Sequence, residues 1–211
     1  MNREQFFIKW SDLHGGAEIK GIVKWWLSVS YSIARVLIRI SPTLLTLLAL
    51  PVALLFLYYL PSPLSILLLV LTLAIDGIDG TVAILAEKVS KSGAVLDAFV
   101  DRLVESAWAY GLFLLGAPWQ LVLSAWLAAF VQEYMRARAG GLGVSEVGIV
   151  TIAERPVRAT LLFIGLFATM VGNADQGIIA TITSIIWVVM QVISAFTIFL
   201  SLRSRLRQSQ R

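Results

Sequence analysis

The sequence predicts an all-α polytopic membrane domain: six transmembrane helices, with an amphipathic helix in the headgroup plane ahead of them. Three observations carry this. Apolar residues make up 58% of the 211-residue chain and charged residues only 14%. With a mean hydropathy of +0.84, that is more apolar residue than a soluble domain of this length needs. The apolar residues fall into six runs, and Lys and Arg collect at alternate ends of them. The net charge of +4 therefore follows topology and does not point to nucleic acid. The chain has no cysteine, which excludes disulfides, thiol chemistry and zinc–cysteine sites. No signal peptide pattern is visible, because the first apolar run begins near Pro42 after a mixed-charge segment. The whole chain, 1–211, reads as one membrane domain: a leader and interfacial helix to residue 40, a six-helix core over 41–202, and a basic tail over 203–211.

Residues 1–20 read as a polar leader. Its lone histidine, His14, is expected to be solvated or to cap a helix rather than to bind a ligand. Over 21–40, Lys24, Ser28, Ser32, Arg35 and Arg39 make a polar stripe at helical spacing, and Trp26, Val29, Ile33, Leu37 and Ile40 face away from it. That is the pattern of a helix lying in the membrane interface. The first span, about 42–60, opens on Pro42, which suits a first helical turn, and Pro51 is expected to kink it. After the turn Pro61-Ser62-Pro63, the second span runs over about 64–86 and carries Asp76 and Asp79. A short basic loop with Lys88 and Lys91 leads to the third span, about 93–115, which opens with Gly93, Asp97, Asp101 and Arg102. The fourth span, about 119–136, is followed by a Gly-rich loop at 140–143. Glu154-Arg155-Pro156-Val157-Arg158 heads the fifth span, about 157–172. The turn Gly172-Asn173-Ala174-Asp175 leads to the sixth, about 178–202, and the tail carries Arg203, Arg205, Arg207 and Arg211. Lys and Arg are absent from the turns between spans 1–2, 3–4 and 5–6, so the positive-inside rule puts both termini in the cytoplasm and the protein in the cytoplasmic membrane.

The aspartates carry the chemistry. A carboxylate within a span costs roughly 2.5–3.5 kcal/mol, and four would cost about 10 kcal/mol if bare. Asp76 and Asp79 are an i,i+3 pair on one helix face, and Asp97 and Asp101 an i,i+4 pair on the next helix. If the two helices pack together, four hard oxygen ligands converge, which suits Mg²⁺ or Mn²⁺, with room for two ions. Gly77, Gly80 and Ala83 are small enough for a ligand or another backbone to come close, and beside two aspartates a nucleotide is favoured over helix packing. Carboxylates in spans also mark ion pathways. A transporter of that kind usually shows repeats and midplane interruptions, and here no repeat is evident and the acidic cluster sits toward one end. A non-catalytic scaffold would leave four spaced aspartates unexplained.

The pattern Asp76-x-x-Asp79-Gly80-x-x-Ala83, then Gly93-x-x-x-Asp97-x-x-x-Asp101, resembles the signature of the CDP-alcohol phosphotransferases, integral-membrane enzymes of phospholipid synthesis. Seven of the eight signature residues match; Ile84 stands where the family has an arginine. The resemblance implies transfer of a phosphatidyl group from CDP-diacylglycerol to an alcohol acceptor with release of CMP. It implies Asp76, Asp79 and Asp97 as metal ligands, and Asp101 as general base that also touches a metal. It sets Thr46, Gly80, Ala83 and Gly93 against the CDP-lipid, although Thr46 reads equally well as bonding its own helix backbone. It also implies a homodimer. Tyr134-Met135-Arg136-Ala137-Arg138-Ala139 and Glu154-Arg155-Pro156-x-Arg158 resemble the phosphatidylinositol-phosphate synthases of actinobacteria, as does the run from Gly93 to Arg102. That likeness implies that Arg136, Arg138, Arg155 and Arg158 bind the phosphate of inositol phosphate, a task to which guanidinium groups are suited. Glycerol 3-phosphate or another acceptor is the alternative within the family. Lys88 and Lys91, one or two turns on from Ile84, are the candidates to replace the missing charge.

Overall fold

The structure, a computed structural model, describes residues 1–143, 151–172 and 174–209, with side chains through Ser204. Among the described residues all regular structure is helical: α1 (Arg3–Leu13), α2 (Gly21–Leu37), α3 (Pro42–Tyr58), α4 (Pro63–Leu85), α5 (Lys91–Leu114), α6 (Trp119–Gly141), α7 (Arg155–Val171) and α8 (Gln176–Ser209). The helices α3 to α8 fall on the six apolar runs, and α2 on the amphipathic stretch. Pro63–Leu85 and Gln176–Ser204 are each long and apolar enough to cross a membrane. The chain forms two compact units. One comprises Met1–Leu54 and Leu71–Val104, the other Leu55–Val70 and Glu105–Arg211.

In the first unit, the segment expected to be a polar leader folds as α1. The sequence carried a start signal for it. Asn2 and Gln5 form a reciprocal capping box, with Gln5 N donating to Asn2 Oδ1 at 2.9 Å and Asn2 N to Gln5 Oε1 at 3.0 Å. Phe6 anchors α1 in a core shared with Leu27, Tyr31 and Ala34 of α2, Leu45 of α3, and Ile78, Val82, Ile84 and Leu85 of α4. Helix α2 meets α3 at 108°. It has three faces rather than two. Leu27, Ser30, Tyr31 and Ala34 are buried, Ile22, Trp25, Ile33 and Val36 are exposed and apolar, and Lys24, Ser32 and Arg35 are exposed and polar. A helix packed on protein along one strip and apolar along a neighbouring one fits the membrane boundary. Pro51 lies within α3 without ending it.

The turn between α4 and α5 is tightly specified. Lys88 N bonds Ala83 O at 2.8 Å and Glu87 N bonds Ile84 O at 3.2 Å, the paired bonds of a Schellman C-cap. Glu87 holds the left-handed position, at φ 56°, where glycine is usual and another residue carries roughly 1–2 kcal/mol of strain. Ser90 then caps α5, its Oγ accepting from Gly93 N at 3.1 Å.

In the second unit, α8 packs against α6 and α7. Its buried strip includes Ala180, Thr183, Ser184, Trp187, Gln191, Ser194, Ile198 and Leu202, at helical spacing. Gln191 Nε2 donates to Gln132 Oε1 of α6 at 2.5 Å, and Ala153 N donates to Ser194 Oγ at 3.0 Å. Gly140 and Gly141, expected in a loop, belong to the last turn of α6. Ala139 is buried there against Ile198 and Leu202, and this packing outweighs the low helix propensity of glycine, about 1 kcal/mol per residue.

The close approach of α7 to α8 rests on Gly165. A Cβ there would lie 2.6 Å from Thr183 Oγ1, which is itself fixed by its bond to Ile179 O at 2.9 Å. Gly165→Ala should therefore destabilise the protein by about 1–3 kcal/mol, the usual range for overpacking, and lower its thermal midpoint in detergent. Combining it with Thr183→Ala should recover most of that loss. Equal midpoints for Gly165→Ala and wild type would show that α7 and α8 are not held this closely.

Candidate active site

Two helices of the first unit deliver the acidic residues. Asp76 and Asp79 lie one turn apart on α4, and Asp97 and Asp101 one turn apart on α5. Carboxylate oxygens of Asp76, Asp97 and Asp101 all lie within 4.8 Å of one another, and all three side chains are half-buried. Three carboxylates at this separation repel one another unless a cation joins them. Oxygen donors in this number and spacing fit a hard divalent ion. Asp79 is outside this group of three. It is almost fully buried, and its carboxylate accepts from the Thr46 hydroxyl and, at 2.6 Å, from Gly80 N. Thr46 Oγ1 also lies 3.1 Å from Pro42 O. Both readings of Thr46 thus have a contact: its own helix backbone, and an aspartate that joins α3 to α4.

Beside these residues is a cavity of about 410 Å³. Thr46, Gly80, Ala83 and Gly93, which the sequence set against the donor lipid, all line it, together with Asp79 and Asp97. The glycines differ. A Cβ at Gly80 would meet nothing within 4 Å, so this position is open. A Cβ at Gly77 would lie 2.6 Å from the Trp26 ring, so its smallness serves the packing of α2 on α4. Ile84, in the position where a basic residue was expected, is buried in the core that seats α1, though it also reaches the cavity wall. Lys88 and His14 line the same cavity. His14 does cap α1, as one of its two expected readings had it.

The four arginines lie in the second unit, and three of them are engaged with glutamates. Arg136 makes two bonds to Glu154, at 2.9 and 2.5 Å, with Glu133 at 3.6 Å. Arg158 is fully buried and donates to the Glu105 carboxylate and the Ala153 carbonyl. Arg155 lies over the Trp108 ring, 5.4 Å from its centroid, with its Nε 3.9 Å from Glu105. Arg138 is exposed in the last turn of α6. Glu154 also accepts from Thr151 N and Oγ1 at 2.9 and 2.8 Å. Partial burial by itself would raise its pKa, but the bonds from Arg136 and Thr151 outweigh that and hold it below the ordinary 4.5. The sequence reading passed over Glu105. Its signal was available: a carboxylate within an apolar helix, four residues beyond Asp101, requires a buried cation.

Comparison with known proteins identifies the family. Residues 39–202 match the CDP-alcohol phosphatidyltransferase family. The archaetidylinositol phosphate synthase of Aeropyrum pernix is 31% identical over 136 residues, 61% of this chain and 70% of that protein. The protein of the same name from Pyrococcus horikoshii is 34% identical over 116 residues, 53% of this chain and 60% of that protein, so the match spans less than two thirds of its length. The crystal structure of the Mycobacterium tuberculosis phosphatidylinositol phosphate synthase with CDP-DAG bound superposes with a TM-score of 0.68 at 21% identity, covering 83% of this chain and 94% of that one; at that identity the likeness speaks for the fold. A family match over most of the sequence, and an acidic cluster built from the signature positions, lead to one conclusion: the chain belongs to the CDP-alcohol phosphatidyltransferase family.

Proposed function

We propose that this membrane transferase moves the lipid phosphoryl group of a CDP-linked lipid, such as CDP-diacylglycerol, to a hydroxyl of inositol phosphate and releases CMP. The observation that carries the reading is the convergence of Asp76, Asp97 and Asp101 beside a cavity walled by Thr46, Gly80, Ala83 and Gly93, in a chain of this family. The choice of acceptor has separate support. The names of the two archaeal relatives and of the mycobacterial neighbour differ in the lipid half of the product and agree in inositol phosphate.

Asp76, Asp97 and Asp101 would hold the divalent ion, Mg²⁺ or Mn²⁺, and Asp79 would add the lone pairs that Thr46 and Gly80 leave. When bound, one or two such ions neutralise the charge that builds on the phosphate oxygens. The small residues Gly80, Ala83 and Gly93 let the donor nucleotide approach the backbone. Asp101 takes the proton of the acceptor hydroxyl as its oxygen attacks the lipid-side phosphorus. The bond to the CMP oxygen breaks, and CMP leaves. Arg136, Arg138 and Arg155 would receive the acceptor phosphate. Arg158, enclosed by Glu105 and Ala153, would position Arg155 through the shared glutamate. The reading extends to six spans with both termini cytoplasmic and to a homodimer, supported by the alternation of basic and uncharged turns and by the family likeness.

Turnover should vanish in excess chelator and return with Mg²⁺. Asp97→Asn should weaken metal binding along with turnover. Asp101→Asn should keep most of the CDP-lipid affinity and lose transfer, because a base acts only in the transition state. Wild-type turnover by Asp101→Asn would remove its assignment as base.

Among free inositol, inositol phosphate, glycerol 3-phosphate and serine, inositol phosphate should be used best. Arg138→Ala and Arg155→Ala should each raise the acceptor KM on the order of tenfold or more, since a charge-assisted contact contributes about 1.5–3 kcal/mol, and should leave donor binding nearly intact. Arg158→Ala should instead reduce folded protein, because breaking a buried pair costs roughly 3–5 kcal/mol. Preference for free serine or free inositol would refute the acceptor.

Orientation has its own test. The chain has no native cysteine, and Ala174 is exposed in the turn before α8. A cysteine placed there should react with an impermeant maleimide added outside intact cells. Reaction only after permeabilisation would invert the topology.

A further inference from the structure

The cavity beside the aspartates is lined by two carboxylates, Asp79 and Asp97, and by the small residues Gly80, Ala83 and Gly93. Among the described residues that line it, only two carry nitrogen side chains that can face an anion: His14 and Lys88. Neither position is accidental. Lys88 is fixed by the Schellman turn, where Glu87 occupies the left-handed conformation and Lys88 N bonds Ala83 O at 2.8 Å. His14 is the C-cap of a helix whose N-terminus is capped by Asn2 and whose Phe6 is buried among Ile78, Val82 and Ile84 of α4.

The imidazole itself is held on two sides. Its ring stacks on Trp10 with centroids 3.9 Å apart and planes 18° from parallel. Its Nδ1 lies 2.7 Å from Trp10 O. A carbonyl oxygen can only accept, so Nδ1 carries a proton, and Nε2 is the nitrogen left for a ligand. Ile84 contributes indirectly. An apolar side chain in that position joins the core in which Phe6 is buried, and that core brings the end of α1 to the cavity.

We propose that His14 is a donor-binding residue: from the end of α1, and together with Lys88, it contacts the pyrophosphate of the CDP-linked lipid. This rests on the proposed function, since it takes the donor to be a CDP-lipid. The contact supplies positive or hydrogen-bonding character to a cavity whose charged lining residues are otherwise the carboxylates Asp79 and Asp97.

The test uses the full-length protein in detergent or nanodiscs, with CDP binding measured by calorimetry and steady-state kinetics measured against CDP-lipid and acceptor. His14→Ala and Lys88→Ala should each raise the donor KM and the CDP dissociation constant about tenfold, as loss of a bond to a charged group does. The acceptor KM should stay unchanged. A capping role and a binding role for His14 predict opposite rescues. Asparagine places its amide at the Nδ1 position and can keep the Trp10 bond, whereas glutamine places its amide at the Nε2 position and can reach the ligand. His14→Gln should keep donor affinity near wild type, and His14→Asn should behave like His14→Ala. The reverse order, or a donor KM unchanged in all three variants of a wild type that turns over CDP-lipid, would overturn the assignment of His14 alone. A wild type that neither binds CDP nor turns over CDP-lipid would overturn the proposed function and this inference with it.

Discussion

Carboxylates do not gather among apolar helices unless positive charge or hydrogen-bond donors hold them there. That constraint organises both units of this protein, with different solutions. In the first, three aspartate oxygens lie within 4.8 Å of one another, an arrangement that a divalent ion stabilises, while Asp79 is satisfied by Thr46 and a backbone N–H. In the second, the carboxylates have protein partners: Glu105 takes Arg158, and Glu154 takes Arg136 and Thr151. A paired guanidinium is also a fixed one, so Glu105 and Glu154 set the directions from which basic groups in this unit can meet an anion.

Much of this could be read from the chain. Asp76, Asp97 and Asp101 stood out because their spacing puts each pair on one helix face and their cost in an apolar run demands compensation. The helices α3 to α8 followed from hydropathy, and α2 from its polar stripe. What escaped was tertiary. The leader looked polar because α1 fully buries only Phe6 in the core, with Phe7 and Trp10 packed against it part-buried, among charged and polar neighbours. The Asn2–Gln5 capping box was there to be seen, but a cap predicts a start and not a docking site. Gly140 and Gly141 carried a loop signal that packing of Ala139 against α8 overrode. Glu105 was passed over because its partner, Arg158, is 53 residues away in the chain, a distance at which periodicity carries no information.

The glycines of the signature show the same limit in one short stretch. Gly77 and Gly80 are three residues apart on α4, and a sequence assigns both to close approach of a ligand. The structure divides them. Trp26 of α2 occupies the space over Gly77, and the space over Gly80 is open cavity. One residue type at adjacent turns thus serves helix packing in one case and borders an open cavity in the other.

The docking of α1 has a consequence for how the protein is made. Synthesis runs from the N-terminal side, so α1 leaves the ribosome before α4. Part of its seat, however, is Ile78, Val82, Ile84 and Leu85 on α4, some seventy residues later, and closing a loop of that length must await the contacts that reward it. The cavity wall to which His14 contributes can therefore be completed only after α4 has been made. At every earlier stage of synthesis the cavity beside the aspartates lacks that part of its lining.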